Sequence, residues 1–331
     1  MSNSINMKTI AEKAGVSVAT VSRVINKNGR FSDETEEKVK KVIEELNYHP
    51  NTLAKSLKEN HTKVIGVVVS DITNPHFARL VLELENMLFA HSYSTVICNT
   101  NENEELEKRH IDTLISQRVS GIIIISGLKV YDLNEIPVVY LDQRPKGYQM
   151  KNHCLIETDN LDGGYLATKK LIEAGCKNIA VMYSFEKDYS QKVRIKGYKK
   201  ALKEAGLEEH YIAVGKISTD KAATFVKDYI DKGNKVDGLM CTNDILAVGA
   251  IKGLQEKQLS VPESVKVTGF DDSILAQLYY PSISSIQQSI DRMVKKTVEL
   301  LFAVMNNDKV DSIYNLSPVK LVERDSTKTK K

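Results

Sequence analysis

The chain has 331 residues, enough at a prior of about 150 per domain for two or three folded units. Its 42% hydrophobic and 27% charged residues, with only 7 prolines, describe an ordinary globular protein and exclude extensive disorder. No apolar run approaches the roughly 20 residues of a membrane helix, and a formal net charge of +3 identifies no partner, because nucleic-acid binding depends on where the charge sits. The polar start, Met1 to Thr9, has no apolar signal segment, so a cytoplasmic location is the expectation. Residues 1 to about 60 then read as short helices. Asn6 can cap a helix from Met7 to Ala14, Gly15 breaks it, and Ser17 can cap a second helix to about Ile25. Ile10, Ala11 and Ala14, Val16 in the turn, and Val21 and Val24 make an apolar seam between the two. A third helix from near Ser32 carries Val39, Val42, Ile43 and Leu46 at helical spacing, and Pro50 stops it.

From Val64 strands and helices alternate: strand 64–70, helix 75–90, strand 95–99, helix 104–117, and strands 121–126, 137–141 and 154–157. The alternation continues with helix 163–174, strand 178–183, helix 191–205, strand 211–214, helix 221–232, strand 238–242, helix 245–257 and strand 265–270. Near-continuous apolar strands between amphipathic helices predict parallel sheets covered on both faces. About 270 residues of this exceed one comfortable sheet, so two α/β lobes with a ligand cleft between them are expected.

The second helix buries Val21 and Val24 and turns Ser17, Val18, Ala19, Ser22 and Arg23 outward. That face suits the DNA major groove: Val18 and Ala19 can touch thymine methyls, Arg23 can pair with guanine O6 and N7, and the hydroxyls can reach phosphates. A solvated helix face is the plainer alternative, and ten basic against eight acidic residues give the head only +2. In the core, Asp71, Asp142, Asn243 and Asp271 each stand directly after a predicted strand, where ligands of open α/β sheets bind. Carboxylates accept from sugar hydroxyls and Arg or Asn donate to them. Asn243, Asp244 and Asp271 could equally be helix caps.

The run Ala11-Glu12-x-Ala14-Gly15-Val16-Ser17-x-x-Thr20-Val21-Ser22-Arg23-Val24-Ile25-Asn26 resembles the head of the lactose/galactose-repressor family, as does Leu46-Asn47-Tyr48-x-Pro50-Asn51. The resemblance extends through Ala54-x-x-Leu57, Ile65-Gly66-Val67, Asp71-Ile72-x-Asn74-Pro75, Thr242-Asn243-Asp244 and Gly269-Phe270-Asp271-Asp272, nearly to the C-terminus. Within the family it is nearest to repressors of ribose or sucrose operons. It implies an all-α helix-turn-helix head joined to an α/β periplasmic-binding-protein-like core of two parallel-sheet lobes, working as a symmetric homodimer on double-stranded operator DNA. The implied boundaries are a head at 1–60 with a hinge helix at 51–58, a core at 63–325 with lobes of about 63–158 plus 289–318 and 159–288, and a flexible tail at 326–331.

The DNA-facing set under this resemblance is Ser17, Val18, Ala19, Thr20, Ser22, Arg23, Asn26 and Arg30 of the head, with Asn51, Ala54 and Leu57 of the hinge. The leucine matching Leu57 wedges into the minor groove, where an apolar side chain at a flexible step kinks the duplex. Family effector positions map onto His76, Phe77, Asp142, Arg144, Arg194, Asn243, Asp271 and Gln288. His76 stands where many relatives carry an aromatic, Asp142-Gln143-Arg144 departs from the common Asp-Arg pair, and Lys216-Ile217-Ser218 lacks an aromatic seen in some relatives.

Paired carboxylates such as Asp142 and Asp271 could serve an enzyme, but the chain has no P-loop, no G-x-S-x-G, no H-E-x-x-H and no G-x-G-x-x-G. Glu208-Glu209-His210 reads as solvated surface. Cys98, Cys154, Cys176 and Cys241 lack C-x-x-C spacing and read as buried thiols. Neither metal nor cofactor is expected. The expected function is repression of a carbohydrate-utilisation operon, relieved by a sugar or sugar phosphate in the cleft; a catabolite-control-type regulator activated by a phosphorylated partner protein is the alternative.

Overall fold

The computed structural model describes residues 6–48, 62–133, 136–184, 189–310 and 312–328, and its contacts divide into one unit up to Thr62 and a second from Lys63. In the first unit Asn6 accepts from the Lys8 and Thr9 amides and opens α1 (Met7–Ala14), which Gly15 ends at a left-handed φ of 68°. The Val16 amide donates back to the Ala11 carbonyl at 3.1 Å. Ser17 then caps α2 (Val18–Asn26). Ser32 caps α3 (Asp33–Glu45), whose first turn holds Asp33, Glu34 and Glu36 where the helix dipole favours negative charge. Ile10, Ala11, Val21, Val24, Val39 and Val42 form the buried core, and Phe31, Leu46 and Tyr48 close around it.

In the second unit the elements run β1 (Val64–Val69), α4 (Pro75–Ala90), β2 (Ser94–Asn99), α5 (Glu104–Ser116), β3 (Gly121–Ile125), β4 (Val138–Asp142) and β5 (Cys154–Thr158). They continue α6 (Asn160–Glu173), β6 (Ile179–Tyr183), α7 (Tyr189–Ala205), β7 (His210–Ala213), α8 (Thr219–Asp231), β8 (Gly238–Cys241), α9 (Asp244–Glu256), β9 (Lys266–Asp271) and α10 (Ile274–Leu278). Last come β10 (Ser284–Gln288), α11 (Ile290–Met305), β11 (Tyr314–Ser317), β12 (Val319–Val322) and a 3₁₀ turn, Asp325–Thr327.

Two six-stranded sheets result, in the orders β2-β1-β3-β4-β5-β11 and β7-β6-β8-β9-β10-β12. All pairings are parallel except β10 with β12. Alternation along β1 and β3 shows why the strands are apolar throughout. Ile65, Val67, Val69, Ile123 and Ile125 face one buried cluster, Val68, Ile122 and Ile124 the other, so both faces of the sheet are covered.

The chain passes between the lobes three times, after β5, after β10 and after β11. The first passage is tied to the third by the Asp159 amide donating to the Ser317 carbonyl at 2.8 Å. Helix α6 starts at Asn160, three residues before the sequence expectation, because Asp159 caps it by accepting from the Asp162 amide. The expected flexible tail at 326–331 requires a correction at its start, residues 329–331 lying outside the described residues. Ser326 and Thr327 are buried: Ser326 Oγ donates to the Val267 carbonyl at 2.6 Å and accepts from the Ser284 amide at 2.9 Å, pinning the turn to the second sheet.

Candidate functional site

A cavity of about 1070 Å³ opens between the two lobes beyond the carboxyl ends of their strands, the position that open α/β sheets reserve for ligands. Of the eight expected effector residues, His76, Phe77, Asp142, Arg144, Arg194, Asn243 and Asp271 line it. Gln288 does not. It lies behind Asp271, donating through Nε2 to Asp271 Oδ1 at 2.7 Å and accepting from Thr158 Oγ1.

In the first lobe, Asn74 caps α4 and fixes the backbone of His76, whose Nε2 stands 3.2 Å from Asp142 Oδ1. Ser126 Oγ donates to Asp142 Oδ2 at 2.5 Å. These bonds hold Asp142 at the end of β4 in the left-handed region, φ 83°, a conformation that neighbours must over-determine. Burial raises the Asp142 pKa, but the hydrogen bonds from His76 and Ser126 and the charges of His76 and Arg194 prevail and hold it below its ordinary value. Burial lowers the His76 pKa, while Asp271 and Asp142 raise it further, leaving the imidazolium favoured. Arg144 is committed to its own lobe: Nε donates to Glu157 Oε2 at 2.8 Å and Nη2 to the Tyr314 hydroxyl at 3.2 Å. Its guanidinium also lies 5.0 Å from the ring centre of Tyr189, which belongs to the second lobe.

In the second lobe Arg194 projects from α7 and is 5% exposed. Its Nε donates to Asn160 Oδ1 at 2.8 Å, its Nη1 to the Thr242 carbonyl at 2.5 Å, and its plane covers Phe270 at 3.6 Å. Nη1 is 3.7 Å from Asp271 Oδ1, an ion pair too long for a hydrogen bond. Arg194 reaches this place because α6 and α7 cross on glycines. A Cβ on Gly164 would stand 2.1 Å from the Arg194 carbonyl oxygen, and one on Gly197 would stand 2.2 Å from that of Leu161. Asn243 fulfils both readings, capping α9 through the Leu246 amide at 2.8 Å and lining the cavity. Asp271 does not cap; it ends β9 at φ 103°, and burial pushes its pKa up against the pull of His76 and Arg194. Behind it Asp244, bonded to Ser285 Oγ and the Ser273 amide, is raised to about 7 by burial and the Asp271 charge.

Sequence reasoning missed Asn160 and Glu157, which orient the two arginines, and Tyr148 and Tyr189, which line the cavity. Asn160 carried the signal used for the others, a polar residue just past a strand; the tyrosines carried none. Among the described residues no three His, Cys, Asp or Glu side chains gather as a metal site, and no helix is long and apolar enough to cross a membrane.

On the head, Val18, at 44% exposure, Ala19 and Arg23 stand outward on α2, and Arg30 is exposed after it. Ser17 Oγ is shared between the Thr20 amide and Thr20 Oγ1, and Asn26 Nδ2 donates to the Ser22 carbonyl at 2.8 Å, so these four side chains already brace their own helix. Arg23 runs along Gly29, where a Cβ would lie 3.3 Å from Arg23 Cδ. Asn51, Ala54 and Leu57, and with them the hinge helix at 51–58, lie outside the described residues.

Residues 6–51 match the bacterial regulatory proteins of the lacI family, and residues 168–327 a periplasmic binding protein-like domain. The HTH-type transcriptional repressor PurR of Pasteurella multocida (strain Pm70) is 34% identical over 334 residues, covering 98% of this chain and 99% of that protein. The chain belongs to the lacI family. Among solved structures, the Lac repressor dimer bound to operator and the anti-inducer ONPF aligns with a TM-score of 0.86 at 26% identity, over 98% of this chain and 99% of that one. A periplasmic binding protein/LacI transcriptional regulator from Alkaliphilus metalliredigens QYMF, complexed with D-xylulofuranose, aligns with a TM-score of 0.73 at 30% identity, over 81% of this chain and all of that one. As a member of this family the chain is an effector-regulated, DNA-binding transcriptional repressor. That curated relative carries the name PurR, not the name of a ribose or sucrose operon.

Proposed function

We propose that this repressor controls a carbohydrate-utilisation operon and that a sugar in the cavity relieves operator binding. The observation that carries the reading is the convergence of Arg194, Asn243 and Asp271 from one lobe with His76 and Asp142 from the other on one polar cavity. Such a set offers donors and acceptors to vicinal hydroxyls, while Phe77, Tyr148 and Tyr189 supply aromatic surface for C–H faces. The xylulofuranose bound by the structural relative supports the same ligand class. Asp142 and Asp271 serve as hydrogen-bond acceptors and not as acid-base catalysts, so the protein is a binding protein and not an enzyme. Arg144, held by Glu157, acts from the rim.

The chain works in the cytoplasm as a symmetric dimer, each head (1–60) placing α2 in the major groove and each hinge helix (51–58) placing Leu57 in the minor groove. Val18 and Ala19 contact thymine methyls, Arg23 reads a guanine, and Ser17, Thr20, Ser22, Asn26, Arg30 and Asn51 position the helix on the backbone. Sugar binding favours a lobe arrangement that disfavours ordered hinge helices, and by linkage operator DNA weakens sugar binding by the same factor. The test is binding of the full chain to DNA upstream of its own and neighbouring genes, at fixed salt, with and without pentoses, hexoses, disaccharides and their phosphates. One sugar releasing the DNA, with the response abolished by Arg194→Ala, supports the reading. Specific binding that ignores every sugar and is indifferent to Arg194→Ala moves the regulation to a phosphorylated partner protein.

A further inference from the structure

Helix α7 (Tyr189–Ala205) carries lysine at positions 192, 196, 199, 200 and 203. At about 100° per residue the five fall within an arc of about 100°, and they span about 16 Å along the helix axis. All five are exposed, while Arg194, Ile195, Tyr198, Ala201 and Leu202 on the opposite face are buried. In a chain whose formal net charge is only +3, this row is a local concentration of charge and not a general basicity. Little of it is neutralised. Lys199 pairs with Glu209 at 3.2 Å; Lys200 lies 4.8 Å from the ring centre of Tyr165, and Asp162 is close enough to feel its charge. Lys192, Lys196 and Lys203 have no hydrogen-bond or ion-pair partner among the described residues. A face that needed only to be solvated would be better served by mixed signs, since like charges four residues apart destabilise a helix. Here Lys192 with Lys196, Lys196 with Lys200, and Lys199 with Lys203 all stand at that spacing.

We propose that this face of the second lobe holds the phosphate backbone of duplex DNA without reading its sequence, a contact separate from the base readout by the head. It does not depend on which effector the cavity takes. A polyanion fits the row because the row is one sign of charge over three turns, and each phosphate it neutralises releases a condensed counterion. An acidic protein fits it less well. Protein interfaces are built on buried apolar and aromatic anchors, and lysine is depleted from their centres. The tyrosines that flank the row offer no such anchor: Tyr165 donates its hydroxyl to Glu204 and lies beside Lys200, and Tyr211 donates to Glu209 and lies beside Lys199. The choice of cation agrees. Lysine is a flexible point charge that can follow phosphates in any register, whereas arginine, whose planar fork reads guanine edges, is absent from the exposed arc. Duplex DNA is the polyanion that a repressor of this family is held against.

The experiment is titration of the full chain onto a fluorescein-labelled duplex of random sequence, followed by anisotropy at a series of KCl concentrations. Wild type is compared with Lys196→Gln/Lys200→Gln/Lys203→Gln, with a melting curve for each protein to establish folding; Lys192 is left in place because it also lines the cavity. Each lysine on a phosphate contributes about 0.9 to the slope of log K against log salt concentration. The triple variant is therefore expected to bind more weakly, with a slope smaller in magnitude by about 2–3. Lys196→Arg/Lys200→Arg/Lys203→Arg, which keeps the charge, is expected to retain the slope. Lys108→Gln/Lys232→Gln/Lys235→Gln removes the same charge from exposed positions elsewhere on the core and is expected to leave the slope unchanged. An unchanged slope in the α7 variant, or an equal fall in both charge-removing variants, would overturn the assignment. An unchanged slope accompanied by α7-dependent sedimentation on phosphatidylserine/phosphatidylcholine vesicles would overturn it in favour of a lipid surface.

Discussion

Replacing Gly164 by Ala tests the packing that puts Arg194 in the cavity. The new methyl would stand 2.1 Å from the Arg194 carbonyl oxygen, 2.8 Å from its carbonyl carbon and 2.9 Å from its Cα. A carbon and a carbonyl oxygen come no closer than about 3.3 Å, and the atoms in the way are backbone, so α6 and α7 must part by roughly 1 Å. Overpacking of this kind costs about 1–3 kcal/mol, and Ala recovers about 1 kcal/mol through its higher helix propensity. The separation also strains the Arg194–Asn160 hydrogen bond, because its partners sit one on each helix; a charge-assisted bond of this type contributes about 1.5–3 kcal/mol. The net expectation is a loss of about 2–4 kcal/mol, which lowers the core melting temperature by roughly 5–10 °C and weakens effector binding at least tenfold. Circular dichroism is the appropriate probe, as the chain has no tryptophan. Gly253→Ala is the control: it clashes at the α8–α9 crossing, 2.5 Å from the Ala223 carbonyl oxygen, and should cost stability while leaving effector affinity in place. A Gly164→Ala protein that melts with the parent and binds effector equally would refute the reasoning.

Arg23→Ala should cost about 1–3 kcal/mol at one base position in each operator half-site; a binding-site selection showing uniform weakening over all sequences would contradict base readout. Asp244 has its pKa raised from an ordinary 3.8 to about 7, so the stability this group contributes is fully present below about pH 3.8 and is lost as pH rises through 7. Urea titrations of Asp244→Asn should therefore show less loss of stability over that window than wild type, the difference having a slope of at most about 1.4 kcal/mol per pH unit; parallel pH profiles would exclude the assignment. Ser326→Ala strips both bonds of a fully buried hydroxyl and should destabilise the core by about 1–3 kcal/mol, measurable as a lower urea midpoint, where a mobile tail would show no change.

Helices α1 to α3 were readable because caps, breaker and apolar spacing agree there: Asn6, Gly15, Ser17 and Ser32 each do in the structure what their chemistry suggests. The polar residues after strands were legible for the same kind of reason, since position alone brings Asp71, Asp142, Asn243 and Asp271 to one cavity. Strand β10 resisted. Ser284, Ser285, Gln287 and Gln288 give it no apolar pattern, and it is buried because its hydroxyls find partners far away in sequence, on Asp244, Arg324 and Thr327. Gln288 was placed on the ligand by resemblance, yet only tertiary structure shows that its amide is consumed by Asp271 and Thr158. The start of α6 is hidden in the sequence for a different reason. The Gly163-Gly164 pair looks like a helix boundary, whereas both glycines are interior positions kept small by Phe270 and the α7 backbone.

The late return of the chain to both sheets bears on how the protein emerges from the ribosome. Helix α11 seals the first sheet with Met293, Val294, Val298 and Leu301, and β11 completes it, so that lobe stays open at one edge until more than nine-tenths of the chain has been made. The second lobe likewise waits for β12 and the buried Ser326. The three-helix head, whose buried core is drawn from Ile10 to Val42 alone, needs none of this to form its core. A nascent chain therefore completes the core of its three-helix head well before either wall of the cavity is complete.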